Sequence, residues 1–198
     1  CHPVGFQWVV EAKKRGARII HVDPSYTRTS AFANRHIGIR GGTDVVLLGA
    51  LIKYMLDNDL YFHDYVVAYT NAPMLVSEGY QDTEDLDGLF SGFDPETGKY
   101  LTDTWQYEQK GDGSSWNVER DDTLQHPRSV FQILKRHFAR YTPELVEETC
   151  GISQEDFYYL ANSIADNSKP DRTTCFAYAL GFTQHTLGAQ FIRTAAIL

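Results

Sequence analysis

The chain has no apolar run of the ~18–20 residues that a bilayer-spanning helix needs, so no such helix is expected. It also has no surplus of positive charge. Lys and Arg number 18 against 26 Asp and Glu, a net charge of −8. A protein that grips nucleic acid non-specifically needs a basic face, so that class is set aside. Cysteine is scarce: Cys1, Cys150 and Cys175 form no C-x-x-C pair. This argues against a cysteine-ligated zinc site or iron–sulfur cluster built from this span, and against a disulfide scaffold. Cys150 and Cys175 are expected as small buried apolar residues. No G-x-G-x-x-G and no Walker sequence occurs, so the usual nucleotide fingerprints are missing. There is no initiator Met, no signal-peptide pattern and no polar tail. The 198 residues open on Cys1-His2-Pro3 and stop on Thr194-Ala195-Ala196-Ile197-Leu198. The expectation is an internal piece of a longer protein.

What is present is globular in balance, with 42% hydrophobic and 22% charged residues, which is not the composition of a disordered tail. Val4, Trp8, Val9 and Ala12 recur at helical spacing and Lys13, Lys14 and Arg15 precede Gly16, so Val4–Gly16 reads as a helix. Ala17–Val22 reads as a buried strand that ends at Asp23-Pro24. Helix, strand and polar turn in that order is the grammar of a parallel α/β sheet. A short helix or turn over Thr27–Asn34 and a strand over His36–Ile39 follow. Val45–Leu56 is apolar almost all round and reads as a buried helix, capped by Thr43 or Asp44. Tyr61–Thr70 is a third helix.

From about 77 to 122 the pattern breaks into turns, at Asp87-Gly88, Asp94-Pro95 and Asp112-Gly113. This reads as an insertion with some hairpin content in one domain spanning 1–198. It is packed through Phe90, Phe93, Tyr100, Trp105, Tyr107 and Trp116. Helices are expected over Pro127–Arg140, Pro143–Thr149 and Ser153–Asn167, the first two with Pro at an early position. Thr173–Leu180 reads as a further core strand, Gly181–Thr186 as the polar loop at its carboxyl end, and a last helix starts near Leu187.

Ligands of open α/β sheets sit beyond the carboxyl ends of the strands. Three polar turns are candidates: Asp23–Arg28, Gly41–Asp44 and Gly181–Thr186. An Asp there accepts from ribose hydroxyls or from a guanine N–H edge, and helix-start N–H groups favour phosphate. Plain capping is the alternative at each. Arg193 lies in an otherwise apolar stretch, Leu187–Leu198, where a cation is paired, snorkels, or meets an anionic ligand. Its fork matches a carboxylate with two parallel bonds. His185 is open between a structural and a ligand role.

Taken together, several segments resemble the catalytic (major) subunit of molybdenum- or tungsten-dependent formate dehydrogenases. They are His2-Pro3-Val4-Gly5-Phe6, Ile20 to Thr29, Gly42-Thr43-Asp44, Thr123 to Arg128, Arg140 to Glu144, and Thr183 to Thr194. Asp87 to Gly92 resembles the respiratory branch. The resemblance runs the whole length. It implies an αβα three-layer domain with a mainly parallel sheet, one of several in a larger subunit. It also implies a bis-molybdopterin guanine dinucleotide cofactor carrying Mo or W. Carried over, Asp23, Pro24, Ser25 and Thr27 meet a guanosine, as do Gly42, Thr43 and Asp44. Leu180 and Gln184 approach the pterin, Cys1 offers a backbone contact, and Arg193 holds formate. The turns and the Arg193 guanidinium are expected to converge on one ligand.

Family members ligate the metal through selenocysteine or cysteine followed by histidine. The context of Cys1-His2 differs, so the metal ligand and the [4Fe-4S] cysteines are expected upstream, outside these residues, and the segment alone is expected to be inactive. The resemblance further implies an iron–sulfur electron-transfer subunit, a membrane cytochrome subunit as a further partner, and a periplasmic location. Alternatives are a related molybdopterin enzyme, such as a nitrate reductase, and a non-redox nucleotide-binding module.

Overall fold

The computed structural model describes residues 2–111 and 117–198; Cys1, the Asp112-Gly113 turn and Trp116 lie outside the described residues. In chain order the elements are α1 (Pro3–Lys14), β1 (Ile20–Val22), α2 (Arg28–Phe32), β2 (Arg35–Ile37), α3 (Asp44–Asp57), α4 (His63–Tyr69), β3 (Phe93–Asp94), β4 (Lys99–Tyr100), α5 (Val130–Phe138), α6 (Pro143–Cys150), α7 (Gln154–Ala165), α8 (Leu180–Thr183) and α9 (Gly188–Ile197). The class is mixed α/β with a small parallel sheet, β1 beside β2. Among the described residues no helix is long and apolar enough to cross a membrane. Where the sequence reads as one domain with an insertion, the chain divides into two compact units. The first holds residues up to Tyr54, Tyr141–Asn167 and Thr173–Leu198; the second holds Met55–Arg140 and Ser168–Arg172. The stretch 77–122 lies inside the second.

In the first unit, α1 carries Pro at its first turn and lysines at its carbonyl end, as the backbone dipole favours. Its apolar stripe does not meet a core: Val4 and Trp8 are 75% and 68% exposed. The helix is held instead by Phe6, edge-on to Phe32 at 5.4 Å, and by Lys13, which donates to the Phe32 carbonyl. The sheet registers Ile20 with Arg35, His21 with His36 and Val22 with Ile37. Asn34 seals its start, exchanging hydrogen bonds with Ile19 N–H and carbonyl at 2.9 and 2.7 Å. Arg35 then fastens β2 to the first turn of α7, through Asp156 at 2.6 Å and Glu155 at 2.8 Å, with its guanidinium 4.8 Å from the Tyr159 ring.

The core of this unit is Ile37, Ile39, Leu47, Leu51, Val146, Ile152, Phe157 and Phe191, all buried. Cys150 is buried as expected, whereas Cys175 is exposed. Gly49 lets α3 close on Tyr141: a Cβ there would lie 2.7 Å from the ring. The N-cap expected of α7 forms, Ser153 accepting from Asp156 N–H; α6 is capped by Thr142, which accepts from Leu145 N–H, and Gly151 ends it in the left-handed region at φ +71°.

Three expectations are corrected. Thr173–Leu180 is not a core strand. Residues 173–178 are exposed and belong to no element, and Leu180 opens α8. Thr, Cys, Phe and Tyr give this stretch strand propensity, but a strand exists only through its ladder, and among the described residues no backbone pairs with it. The 181–186 stretch is accordingly a short helix and turn, not a loop at a strand end. Pro127 is likewise not inside α5. That helix starts at Val130 because the buried Ser129 caps it, accepting from Gln132 N–H.

The second unit packs Ala72, Leu124 and Phe131 against Leu56, Tyr61, Val66 and Val67. Its hairpin, Phe93 opposite Tyr100, gathers Phe90, Phe93, Tyr100 and Trp105 into ring contacts of 5.3–6.3 Å. Leu124 is fully buried at a positive φ of 60°. The turn that forces it there is built by the Asp121 carboxylate, which accepts from Thr123 N–H and hydroxyl at 2.9 and 2.6 Å and from Gln125 and His126 N–H at 2.8 and 2.6 Å.

These bonds, the Thr123 hydroxyl first, hold the Asp121 carboxyl at about 2 against an ordinary 3.8. The unfolded chain therefore takes up the proton first. The stabilisation is complete above the ordinary value and is lost as pH falls from there towards 2. Asp121→Ala is expected to lower stability in urea unfolding at neutral pH by about 1–3 kcal/mol, with that part of the acid dependence gone.

Candidate functional site

Because β1 and β2 are parallel, their carboxyl ends fall side by side, and each gives way to one of the expected polar turns. After β1, Asp23 remains tied to the sheet. Its N–H donates to the Ile37 carbonyl at 3.2 Å and its carbonyl accepts from His36 Nε2 at 3.0 Å. One carboxylate oxygen accepts from Ser25 N–H at 2.7 Å. The other stands 3.7 Å from His21 Nε2, beyond hydrogen-bonding distance, and so keeps its acceptor capacity. Pro24, Ser25 and Thr27 are exposed. Thr27 caps α2 and its hydroxyl, accepting from Thr29 N–H at 3.2 Å, still has a proton to give. Tyr26, 70% exposed, stands edge-on to His36 at 5.2 Å. Burial holds the His21 imidazole below its ordinary value; the Asp23 carboxylate opposes this in part and His36 adds to it.

After β2 the chain turns through Gly38–Thr43 into α3. Arg40 fixes this turn on the carbonyl end of α6. Its N–H donates to Cys150 at 2.9 Å, and Nη1 donates to Glu148 and Thr149 at 2.7 and 2.8 Å. Thr43 sits just before α3, where its carbonyl accepts the first helical N–H groups while its hydroxyl donates back to Arg40 at 2.8 Å. Asp44 opens the helix with a half-buried carboxylate that makes no hydrogen bond or ion pair among the described residues. Gly42 has φ +89°, and a Cβ on it would lie 4.0 Å from His185 Nδ1, so this turn and the 184–187 turn are neighbours.

His185 packs at 5.3 Å on Phe191, which is fully buried, and Phe182 meets the same ring at 6.0 Å. Gln184 ends α8 with an exposed side chain, and Leu180 is 62% exposed. The structure therefore links the 42 turn to His185 and sets the Asp23 and 42–44 turns at one end of the sheet. Among the described residues no contact joins Arg193 to them. Gly188, Phe191 and Thr194 form the buried face of α9, and Arg193 follows Phe191 by two positions, about 200° round the helix. Its guanidinium is exposed and unpaired among the described residues. Cys1 lies outside the described residues.

His21, His36 and Ser30 were not legible as site residues. Each histidine sits in a strand of three residues, and only the pairing register sets one ring beside the other, 5.7 Å apart. As chemistry, the two turns offer carboxylate acceptors at Asp23 and Asp44, hydroxyls at Ser25 and Thr27, and backbone bared at Gly42. That set fits a guanosine, whose ribose hydroxyls and guanine N–H edge are donors and whose bulk needs a close backbone approach.

No family model matches the chain. In three dimensions it resembles acetylene hydratase from Pelobacter acetylenicus, with a TM-score of 0.58 and 16% identity over 98% of this chain and 18% of that one. A likeness at that identity shows a shared fold. In sequence it is 46% identical over all 198 residues to the formate dehydrogenase-O major subunit of Escherichia coli (strain K12), of which it covers 19%. It is 44% identical over 196 residues, 99% of this chain, to formate dehydrogenase subunit alpha of Megalodesulfovibrio gigas, again 19% of that protein. The chain thus spans about a fifth of the length of these relatives and matches one segment of each.

The seat of His185 depends on Gly188, where a Cβ would meet the Phe182 and Thr183 carbonyls at 2.5 and 2.8 Å. Backbone does not yield as a side chain does. Gly188→Ala is expected to destabilise by about 1–3 kcal/mol despite its better helix propensity, read from denaturant unfolding.

Proposed function

We propose that this segment holds a guanosine end of a molybdopterin guanine dinucleotide in the major subunit of a formate dehydrogenase. The observation that carries the reading is the placing of two carboxylates, Asp23 and Asp44, both with acceptor oxygens unspent, after adjacent parallel strands. Asp23 and Asp44 accept from ribose hydroxyls or the guanine N–H edge. Ser25 and Thr27 add hydroxyls, Pro24 stiffens the turn, Thr43 shapes the other turn through its bond to Arg40, and Gly42 lets the nucleotide lie against backbone. Gln184 and Leu180 face the pterin side, the amide with both donor and acceptor to offer.

The metal-carrying group, a bis-molybdopterin guanine dinucleotide with Mo or W, supplies when bound the two-electron oxidation of formate to carbon dioxide. The whole enzyme would add a [4Fe-4S] cluster, ligated elsewhere in the subunit, and an iron–sulfur partner subunit to receive the electrons. A membrane cytochrome subunit and a periplasmic location complete the proposal. A dinucleotide is long, so residues that hold its guanosine and residues that face its reactive end need not touch. That length accommodates Arg193, whose guanidinium is exposed on α9, as the group that orients formate and neutralises its charge. A whole-length match to formate dehydrogenases favours this substrate over nitrate.

Arg193→Ala and Arg193→Lys in the full subunit are expected to lower kcat/KM for formate by about 100-fold or more, because the bidentate grip is lost in both. Steady-state kinetics at saturating acceptor check this, and unchanged values for both variants would remove the role.

A further inference from the structure

We infer that His21 is a positioning residue for the 23–27 turn: its imidazole is bonded to the start of α2 through Ser30, stands 3.7 Å from the Asp23 carboxylate, and sets how that carboxylate meets a guanosine. The inference rests on the proposed guanosine site and deepens it. Ser30 is the hinge of the argument. Its side chain is buried, with 4% of the residue exposed, and its hydroxyl oxygen accepts from Thr27 N–H at 2.8 Å. The hydroxyl proton must then go elsewhere, and His21 Nδ1, 2.9 Å away, is the acceptor in reach. A ring that accepts at Nδ1 carries its proton at Nε2. Nε2 faces the free oxygen of Asp23 at 3.7 Å. The run from Thr27 N–H through Ser30 O–H to the His21 ring is hydrogen-bonded, and it ends beside the Asp23 carboxylate at a distance where charge acts but no hydrogen bond forms.

The second histidine holds the backbone of the same turn. His36 Nε2 donates to the Asp23 carbonyl at 3.0 Å, and Tyr26 rests edge-on against its ring. The titratable groups facing His21 are Asp23 in the turn and His36 on β2; α2 presents the neutral Ser30.

Protonation changes this arrangement. An imidazolium has a proton on both nitrogens, so Nδ1 no longer accepts and Ser30 must rotate. The new positive charge draws the free Asp23 oxygen into an ion pair and takes it from the nucleotide. Burial and His36 keep the ring neutral at ordinary pH, so the change falls on the acid side. By linkage, a bound nucleotide and a protonated His21 oppose each other.

The test uses the cofactor-loaded subunit as wild type, His21→Gln, Asp23→Asn and the double variant. Guanosine nucleotide lost from the protein is measured per subunit from about pH 8 to about pH 5. Wild type is expected to lose nucleotide about tenfold faster at the acid end. His21→Gln, which cannot take the charge, is expected to give a flat profile. The double variant is expected to match Asp23→Asn, since the histidine acts through that carboxylate. A flat wild-type profile, or acid acceleration persisting in His21→Gln, overturns the inference. Should His21→Gln not fold, Asp23→Asn decides: loss of the acid acceleration supports the inference and its persistence overturns it. Wild-type subunit carrying no guanosine nucleotide would overturn the site and the inference together. Nucleotide present but indifferent to His21 would overturn the inference alone.

Discussion

Two strands of three residues, set side by side in parallel, carry the arrangement of His21, His36, Arg35 and the Asp23 turn. Their register matters more than their length. Side chains alternate faces with a period of two, so a slip by one residue would carry His36 away from His21 and turn Arg35 from α7. That register is enforced from both sides. Asn34 closes the start of the pair by bonding both backbone groups of Ile19, and Arg35 binds two carboxylates of α7 while lying against Tyr159. So short a sheet has little ladder energy of its own, and these side-chain anchors replace the neighbouring strands that a wider sheet would supply.

From that pair the chemistry follows by position. Parallel strands end together, and the turns after them are adjacent without any contact between the turns themselves. Arg40 makes the second turn rigid by satisfying carbonyls that a helix end leaves bare, which lets Gly42 keep a backbone conformation open to an approaching ligand. The second unit obeys different rules. It has little regular structure between α4 and α5, and its order comes from charged side chains bonded to backbone. Arg128 reaches the Val76 carbonyl at 2.9 Å and Glu108 at 2.5 Å, and Asp121 organises the turn that buries Leu124.

Much of this is legible in the sequence because it is local. The proline start and glycine end of α6, the cap at Ser153, the apolar α3 and the Asp23 turn are each set by a few neighbouring residues whose preferences do not depend on distant partners. The resemblance in Ile20–Thr29 and Thr183–Thr194 was readable for the same reason, as strings of residues. Where reading failed, the missing information was non-local. Thr173–Tyr178 has the side chains of a strand, yet propensity cannot provide a ladder. Pro127 looked like a helix start, but the cap two residues later won because Ser129 is buried and bonded. Arg193 is a cation in an apolar stretch, and only the helical face that Phe191 buries shows which way it stands.

The residues by themselves determined which segments coil, where those helices stop, which turns carry carboxylates, and which family the chain resembles. These follow from short-range sterics, capping hydrogen bonds and hydrophobic period. Tertiary structure alone decided that His21 stands beside His36, that Gly42 lies against His185, and that Asp23 and Asp44 leave the same end of one sheet. Those are relations between segments far apart in the chain. They arise from packing and strand register, in which each residue's place is set by partners that its own neighbours do not specify.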